Sequence, residues 1–318
     1  MSTERRKVLL TEPVHPIAAE TLEAGGCAVI EGWTLDDAGM ADALAGIEAI
    51  LVRIARVPSG MIEAAPKLRV IAKHGVGCDN IDQAEARARG VTLAVAADAN
   101  ARSVAEHTLM FILGLAKNLG HMDRAVRQDY SRRMQTRVVD VADKRVLVLG
   151  YGRIGKLVAP LCRAFGMEVL LHDLLLEPGT ACDGFAVAPS LAEGLAQADF
   201  LTVHVPLTDL TRGIIGRAEL ASMKPGSFVV NCARGGIVDE AALAELTASG
   251  HLGGFASDVF SAEPIEPGNP LLADNPSLLT PHSAALSEEA VRRMAYRAAR
   301  NILDHFEGQL APEFVFGG

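Results

Sequence analysis

Three charged side chains stand where an α/β chain keeps its chemistry. Arg234 follows the apolar run 228–231 in "NCARGG", Glu263 lies beyond Asp258 in "SDVFSAEP", and His282 follows 278–280 in "LLTPHSAAL". In open parallel sheets ligands gather outside the carboxyl ends of the strands, and each of the three is predicted at such an end. Singly, each has a plain reading: a surface turn arginine, a loop glutamate before Pro264, a histidine satisfied against backbone. Together they meet the needs of hydride exchange at a secondary alcohol. An imidazole titrating near neutrality can take or return the hydroxyl proton. A carboxylate on its other ring nitrogen fixes the tautomer and stabilises imidazolium. A guanidinium can grip a substrate carboxylate through two parallel bonds. The set reads as a 2-hydroxy/2-oxo acid site.

A hydride also needs a carrier. The run "VLVLGYGRIG" is a buried-strand pattern followed by G-x-G-x-x-G, and a helical pattern continues from it to Phe165. Such glycines often mark ordinary turns, but Asp173 closes the next strand about 20 residues on, which completes a dinucleotide fingerprint. Gly150 permits the tight turn, Gly152 lets a pyrophosphate approach backbone, and Gly155 allows close helix–strand packing. The helix N-terminus offers N–H groups and a positive dipole end. Asp173 suits ribose hydroxyls and would repel a 2′-phosphate, and no Lys or Arg occurs from Glu168 through Leu210. NAD is expected over NADP.

These residues need a scaffold. Short β-branched or leucine-rich runs alternate with alanine-rich helical stretches, the pattern of parallel sheets covered by helices. Strands are predicted at 8–11, 27–31, 47–52, 70–73 and 91–95, with helices at 16–24 and 81–89. A long helix is predicted from about 101 to 129, with Asn100 or Ser103 as its cap. A second series follows at 146–149, 168–172, 200–203, 227–231, 253–258 and 277–280, then a closing helix at 287–306 whose start fits a capping box only loosely. The restart near residue 145 implies two α/β domains in the 318 residues.

Composition excludes several roles. The net charge is −9 and the hydrophobic content 49%, which argues against nucleic acid or an anionic membrane as main partner. Arg124, Arg127, Arg132, Arg133 and Arg137 gather on a helical pattern and read as a solvated face. The five cysteines are scattered without a C-x-x-C pair, suiting free thiols in a reducing compartment. The longest apolar run, 108–116, falls short of the ~20 residues of a membrane span. A cytoplasmic location is expected. No metal site is expected either, and His107, after Glu106, reads as helix packing.

With these motifs in view, the sequence resembles the D-isomer-specific 2-hydroxyacid dehydrogenase family, near its D-3-phosphoglycerate dehydrogenases and glyoxylate/hydroxypyruvate reductases. The resemblance rests on "KHGVGCDNID", "SVAEHTL", "GYGRIG", "VHVPLT", "VNCARGGIVDE", "ASDVFSAEP" and "LTPHSAA" and spans nearly the whole chain. It implies two doubly wound α/β domains, a Rossmann-type NAD-binding domain (100–286) inserted into a flavodoxin-like catalytic or substrate domain (1–99 plus 287–318). It implies Arg234 on the substrate carboxylate and carbonyl, His282 as acid/base, and Glu263 as the imidazole's partner. Arg153 and Ile154 would supply backbone to the pyrophosphate, and Asp173 would hold the adenosine ribose. His204, Val205 and Pro206 would line the adenine side, Cys232, Ala233 and Asp258 the nicotinamide side, and Ser283 and Ala284 would leave room for the carboxamide. Gly75, Val76 and Gly77 would cap the substrate carboxylate.

The resemblance also implies a homodimer, although the segment before Arg145 lacks the family's common tryptophan and Gly-x-Glu-Leu pattern. The end at Gly318 without a regulatory domain makes serine-type feedback unexpected. Arg53, Lys73 and His74 put cations near the substrate loops, with Arg53 and Lys73 where a phosphate would lie. The 3-phosphoglycerate/phosphohydroxypyruvate pair is one expectation; glyoxylate, hydroxypyruvate or another small acid is the alternative. Phosphite oxidation stays open, as does an NAD-sensing corepressor-like role.

Overall fold

Alternation along the short strands of the first hundred residues produces two apolar faces, and each needs a helical cover. In the computed structural model, which describes residues 5–135, 137–273 and 275–317 (without the side chains of Arg132 and Gln135), both faces are covered. In chain order come β1 (Lys7–Leu10), α1 (Ile17–Ala24), β2 (Ala28–Glu31), α2 (Asp37–Gly46), β3 (Ala49–Val52), α3 (Ser59–Glu63), β4 (Val70–Lys73), α4 (Gln83–Ala88) and β5 (Thr92–Val95). The sheet is parallel, in the order β2-β1-β3-β4-β5, the flavodoxin-like arrangement. Leu9, Ile50, Ile71 and Leu93 share one cluster with Leu44 of α2, Ile62 of α3 and Ala86 of α4. Val8, Leu10, Leu51 and Ala72 face the other way, toward Ala18 and Leu22 of α1. Asp36 and Asp82 cap α2 and α4 by accepting amides three residues on.

The second unit, Ala101–Ala285, opens with a departure from expectation. The single long helix is two, α5 (Ala101–Ala116) and α6 (Leu119–Gln128), broken at Asn118, whose φ of 47° is left-handed. Asparagine tolerates that region better than most residues, which periodicity alone does not reveal. Ser103 lies inside α5 rather than capping it. Then follow β6 (Arg145–Leu149), α7 (Gly155–Ala164), β7 (Glu168–His172), β8 (Ala181–Cys182), β9 (Phe185–Val187), α8 (Leu191–Gln197), β10 (Phe200–Val203), α9 (Arg217–Ser222), β11 (Ser227–Asn231), α10 (Glu240–Ala248), β12 (Leu252–Ser257) and β13 (Ser277–Leu279). The sheet order is β13-β12-β11-β10-β6-β7-β9-β8. Its centre, β9-β7-β6-β10-β11-β12, has the Rossmann order, with the chain reversing between β6 and β10. The short antiparallel β8–β9 hairpin was not predicted. Val146 and Val148 pack with α5 and α7, while Leu147 and Leu149 pack with α8, α9 and α10.

The chain then returns to the first unit, which comprises residues up to Asn100 and from Leu286. There α11 (Glu288–Glu307) lays Ala295, Ala298, Ala299 and Ile302 on the Val8 face of the first sheet. Ser287 caps it by accepting the Ala290 amide at 3.1 Å, a single cap without the reciprocal carboxylate. Buried Asn301 donates to the Val95 carbonyl at 2.9 Å, tying α11 to β5. Among the described residues no helix is long and apolar enough to cross a membrane.

His74, just past β4, is enclosed by this arrangement. It is buried, with Nε2 3.2 Å from the Val291 carbonyl in α11. Burial, helped by the Arg53 charge, pushes its imidazole down from 6.5 to about 4. Below pH 6.5 the unfolded chain takes up a proton that the folded chain refuses until about pH 4. Stability from this group is therefore whole above about pH 6.5 and declines by on the order of 3 kcal/mol as pH falls to about 4. Urea unfolding at stepped pH should show a shallower acid slope for His74→Gln than for the parent; identical slopes would count against it.

Candidate active site

The parallel ladder β11–β12–β13 brings three carboxyl ends side by side, and each end is shaped by polar side chains. After β11, Asn231 accepts the Ala233 amide at 3.0 Å and donates to the Arg234 carbonyl at 2.9 Å, closing the turn that presents Arg234. The Arg234 guanidinium donates to the Ala233 carbonyl at 2.8 Å. Gly235 must lack a side chain, since a Cβ there would stand 1.9 Å from the Phe260 carbonyl oxygen. After β12, Glu240 anchors the loop by accepting the Ser261 amide and hydroxyl and the Asn269 side chain. Within that loop Glu263 Oε1 accepts the Phe260 amide at 3.0 Å. After β13, His282 adopts φ 50°.

Glu263 Oε2 and His282 Nδ1 lie 2.7 Å apart. A carboxylate there accepts the Nδ1 proton, so Nε2 is left to meet a ligand. Burial acts to raise the Glu263 carboxyl. The hydrogen bonds from His282 and the Phe260 amide, with the His282 and Arg234 charges, outweigh it and hold the group below the usual glutamate value. Arg234, Glu263 and His282 thus form one electrostatic set: an anion kept ionised, an imidazole oriented by it, and a guanidinium nearby.

The glycine turn fits a dinucleotide. Gly150 has φ 97°, and a Cβ on it would strike the backbone of His204 and Val205, so the "HVP" segment packs directly on the turn. A Cβ on Gly152 would meet open space, whereas one on Gly155 would lie 2.1 Å from the Gly150 carbonyl oxygen. No side chain caps the start of α7 at Ile154, which leaves Arg153 and Ile154 at an N-terminus suited to phosphate. Asp173 is partly exposed and accepts the Tyr151 and Leu175 amides at 2.7 and 2.9 Å, and its remaining lone pairs suit ribose hydroxyls. Tyr151 is in turn anchored by its hydroxyl to Asp183 in the β8–β9 turn, 3.0 Å away.

Several expected cofactor contacts are turned into the fold. His204 bonds Thr202 at 2.9 Å, and burial pushes its imidazole down to about 3. Burial pushes the Cys232 thiol up to about 12, which removes it as a nucleophile at neutral pH. Asp258 is 1% exposed, and its carboxylate accepts the Thr280 hydroxyl and the Ser283 and Ala284 amides. Sequence reasoning missed the supporting residues Asn231, Glu240 and Thr280; for Asn231 and Thr280 a polar residue closing an apolar strand was the available signal, whereas Glu240 opens α10 and carried none.

In the first unit, Gly75 has φ 138° and its carbonyl accepts the Ala96 amide at 2.7 Å, while Val76 is exposed. Lys73 Nζ donates to the Arg53 carbonyl and to Asn80 Oδ1. Glu12 accepts the amides of Arg53, Ile54 and Ala55. Lys73 and His74 therefore hold their own loops, whereas Arg53 is held through its backbone amide and carbonyl.

A Rossmann-ordered sheet, a glycine turn leading into a helix without a side-chain cap, and an acid after β7 define a dinucleotide-binding unit. Residues 109–284 match the family model described as "D-isomer specific 2-hydroxyacid dehydrogenase, NAD binding domain", and the chain belongs to that family. It is 36% identical to a D-3-phosphoglycerate dehydrogenase of Methanocaldococcus jannaschii over 97% of its length, covering 59% of that protein. The chain spans between half and three fifths of the curated relatives it matches. Among solved structures it is similar to the TT0316 protein from Thermus thermophilus, with TM-score 0.84, 30% identity, and coverage of 96% of this chain and 98% of that one. A glyoxylate reductase from Paecilomyes thermophila gives TM-score 0.85 at 26% identity, with 97% and 98% covered.

Two glycine variants separate ligand contact from packing. Gly152→Ala should keep the parent's melting temperature while weakening NADH binding by about tenfold or more, measured by calorimetry. Gly155→Ala should lower both, because the Gly150 backbone has to move. Unimpaired NADH affinity in Gly152→Ala would remove the pyrophosphate from that turn.

Proposed function

We propose that the protein is an NAD-dependent dehydrogenase interconverting a D-2-hydroxy acid and its 2-oxo acid. The observation that carries this reading is the 2.7 Å bond between Glu263 and His282, set at the carboxyl edge of the sheet that bears the glycine turn. What the nicotinamide supplies when bound is the hydride. In the reducing direction His282 Nε2–H gives its proton to the substrate carbonyl oxygen while Glu263 stabilises the charged ring. In the oxidising direction neutral Nε2 takes the hydroxyl proton. Arg234 grips the substrate carboxylate and polarises the neighbouring oxygen.

The curated relatives favour 3-phosphoglycerate and phosphohydroxypyruvate as the pair. One observation favours smaller, unphosphorylated acids: the Lys73 ammonium, one of the two cations expected to meet a phosphate, is bonded to the Arg53 carbonyl and to Asn80 instead. NADH absorbance with phosphohydroxypyruvate, hydroxypyruvate, glyoxylate and pyruvate, and with 3-phosphoglycerate, phosphite and formate in reverse, decides between them. His282→Ala should lower kcat by about a hundredfold or more and leave NADH affinity as in the parent. Unchanged kcat in that variant would sink the assignment. Silence of the parent across the panel, with NADH bound, would return the cofactor-sensing role.

The working form we propose is a homodimer in a reducing compartment, joined through α6 and the residues after it. Leu119, Val126, Tyr130, Met134 and Val138 are all exposed there, Met134 by 80%, and exposed apolar side chains gathered in one stretch suit a protein–protein contact. All five cysteines are free. Light scattering should report a dimer for the parent and a monomer for the double variant Val126→Glu with Met134→Glu.

A further inference from the structure

Behind the turn that carries His282 lies a second histidine that the reaction above does not use. His107 sits in α5, its ring edge-on to Phe111 with centroids 4.5 Å apart and its side chain 14% exposed. Its Nε2 is 3.0 Å from Thr280 Oγ1, and Thr280 Oγ1 is 2.5 Å from Asp258 Oδ1. A hydroxyl has one proton to give, and an ionised carboxylate only accepts. The Thr280 proton therefore goes to Asp258, and the Thr280 oxygen accepts from His107. This fixes His107 with its proton on Nε2, and burial, opposed by the Asp258 charge, lowers its imidazole toward that neutral form. A chain of donors runs one way, from His107 through Thr280 to Asp258, each bond polarising the next.

At the far end of the chain is the His282 turn. Asp258 accepts the Ser283 amide at 2.7 Å and the Ala284 amide at 2.9 Å, and its carbonyl accepts the His282 amide at 2.8 Å. These bonds bracket a histidine held at φ 50°, a conformation that costs a non-glycine residue energy and persists only when its surroundings impose it. Among the described residues His107 is the one basic side chain within ion-pair distance of Asp258, at 3.9 Å. We propose that His107 is a positioning residue for the His282–Glu263 pair, acting through Thr280 and Asp258 to hold the histidine turn. The inference rests on the reading of His282 as the proton carrier. Misplacement of a catalytic group by about 1 Å can cost a hundredfold in rate, so a residue that touches no substrate can still set kcat.

The test compares removal of the donor with its replacement, in the full chain. His107→Leu keeps apolar bulk beside Phe111 but has no N–H, whereas His107→Gln places an amide N–H near the position of Nε2. Thr280→Val and Thr280→Ser make the same comparison one link along. His107→Leu and Thr280→Val should lower kcat about tenfold, as expected for one hydrogen bond to a charged network. They should also displace the pH profile of kcat/KM and the NMR titration of the His282 Cε1–H signal, with NADH affinity held within about twofold. His107→Gln and Thr280→Ser should recover kcat to within about threefold of the parent. Parental kcat and titration in His107→Leu would overturn the proposal, as would a Gln variant as damaged as the Leu variant, which would make ring packing on Phe111 the whole role. If the parent turns over none of the 2-oxo acids, the dehydrogenase reading fails on its own. The His282 titration then still decides the positioning claim: a displaced curve in His107→Leu supports it and an unchanged one overturns it.

Discussion

A carboxylate withdrawn from water has to find its hydrogen bonds inside the chain or lose its charge. Asp258, at the end of β12, finds them in the turn that follows β13, and the geometry of the site depends on that exchange. Two consecutive amides can converge on one carboxylate only where the backbone curls tightly, and the curl places His282 in the left-handed region with its side chain toward Glu263. Small residues at Ser283 and Ala284 let the amides come close. The string of small residues after Pro281 and His282 thus has a cause in the strand beside it.

The same economy of space governs the other parts. Gly235 lies against the Phe260 carbonyl, and Gly155 against that of Gly150. In both places a backbone that must hold a reactive or ligand-facing element is braced by another backbone, with no flexible side chain between. Glu240 adds a polar brace to the Glu263 loop from the start of α10. Groups held this way need little reorganisation when charge develops beside them.

Much of this was legible in the sequence, and the reasons are local. The strands 70–73, 168–172, 200–203 and 227–231 are apolar runs bounded by turn residues, and they form as read. The adjacency of Glu263 and His282 was legible because parallel strands in sequence order bring successive carboxyl ends together. What escaped depended on tertiary partners. The break at Asn118 is a single residue's φ, and the β8–β9 hairpin is too short to show a period. His107 read as helix packing because its partner, Thr280, is 173 residues away. Lys73 and His74 carry charge and polarity that suggest a ligand, yet Asn80, the Arg53 carbonyl and the Val291 carbonyl take them first.

The stitch between α11 and the first sheet bears on how the chain is made. The face formed by Val8, Leu10, Leu51 and Ala72 is covered in part by Ala18 and Leu22 of α1 and for the rest by Ala295, Ala298, Ala299 and Ile302 of α11. Asn301 reaches Val95 across 206 residues. Synthesis runs from the N-terminus, and domains fold as units while it proceeds. The contiguous stretch Ala101–Ala285 can therefore close its core as soon as it is made, while the first hundred residues keep one sheet face only partly covered, by α1, until α11 has emerged. Of the two units, the one that begins earlier in the chain is thus the later to be completed, since its last helix follows the whole of the other.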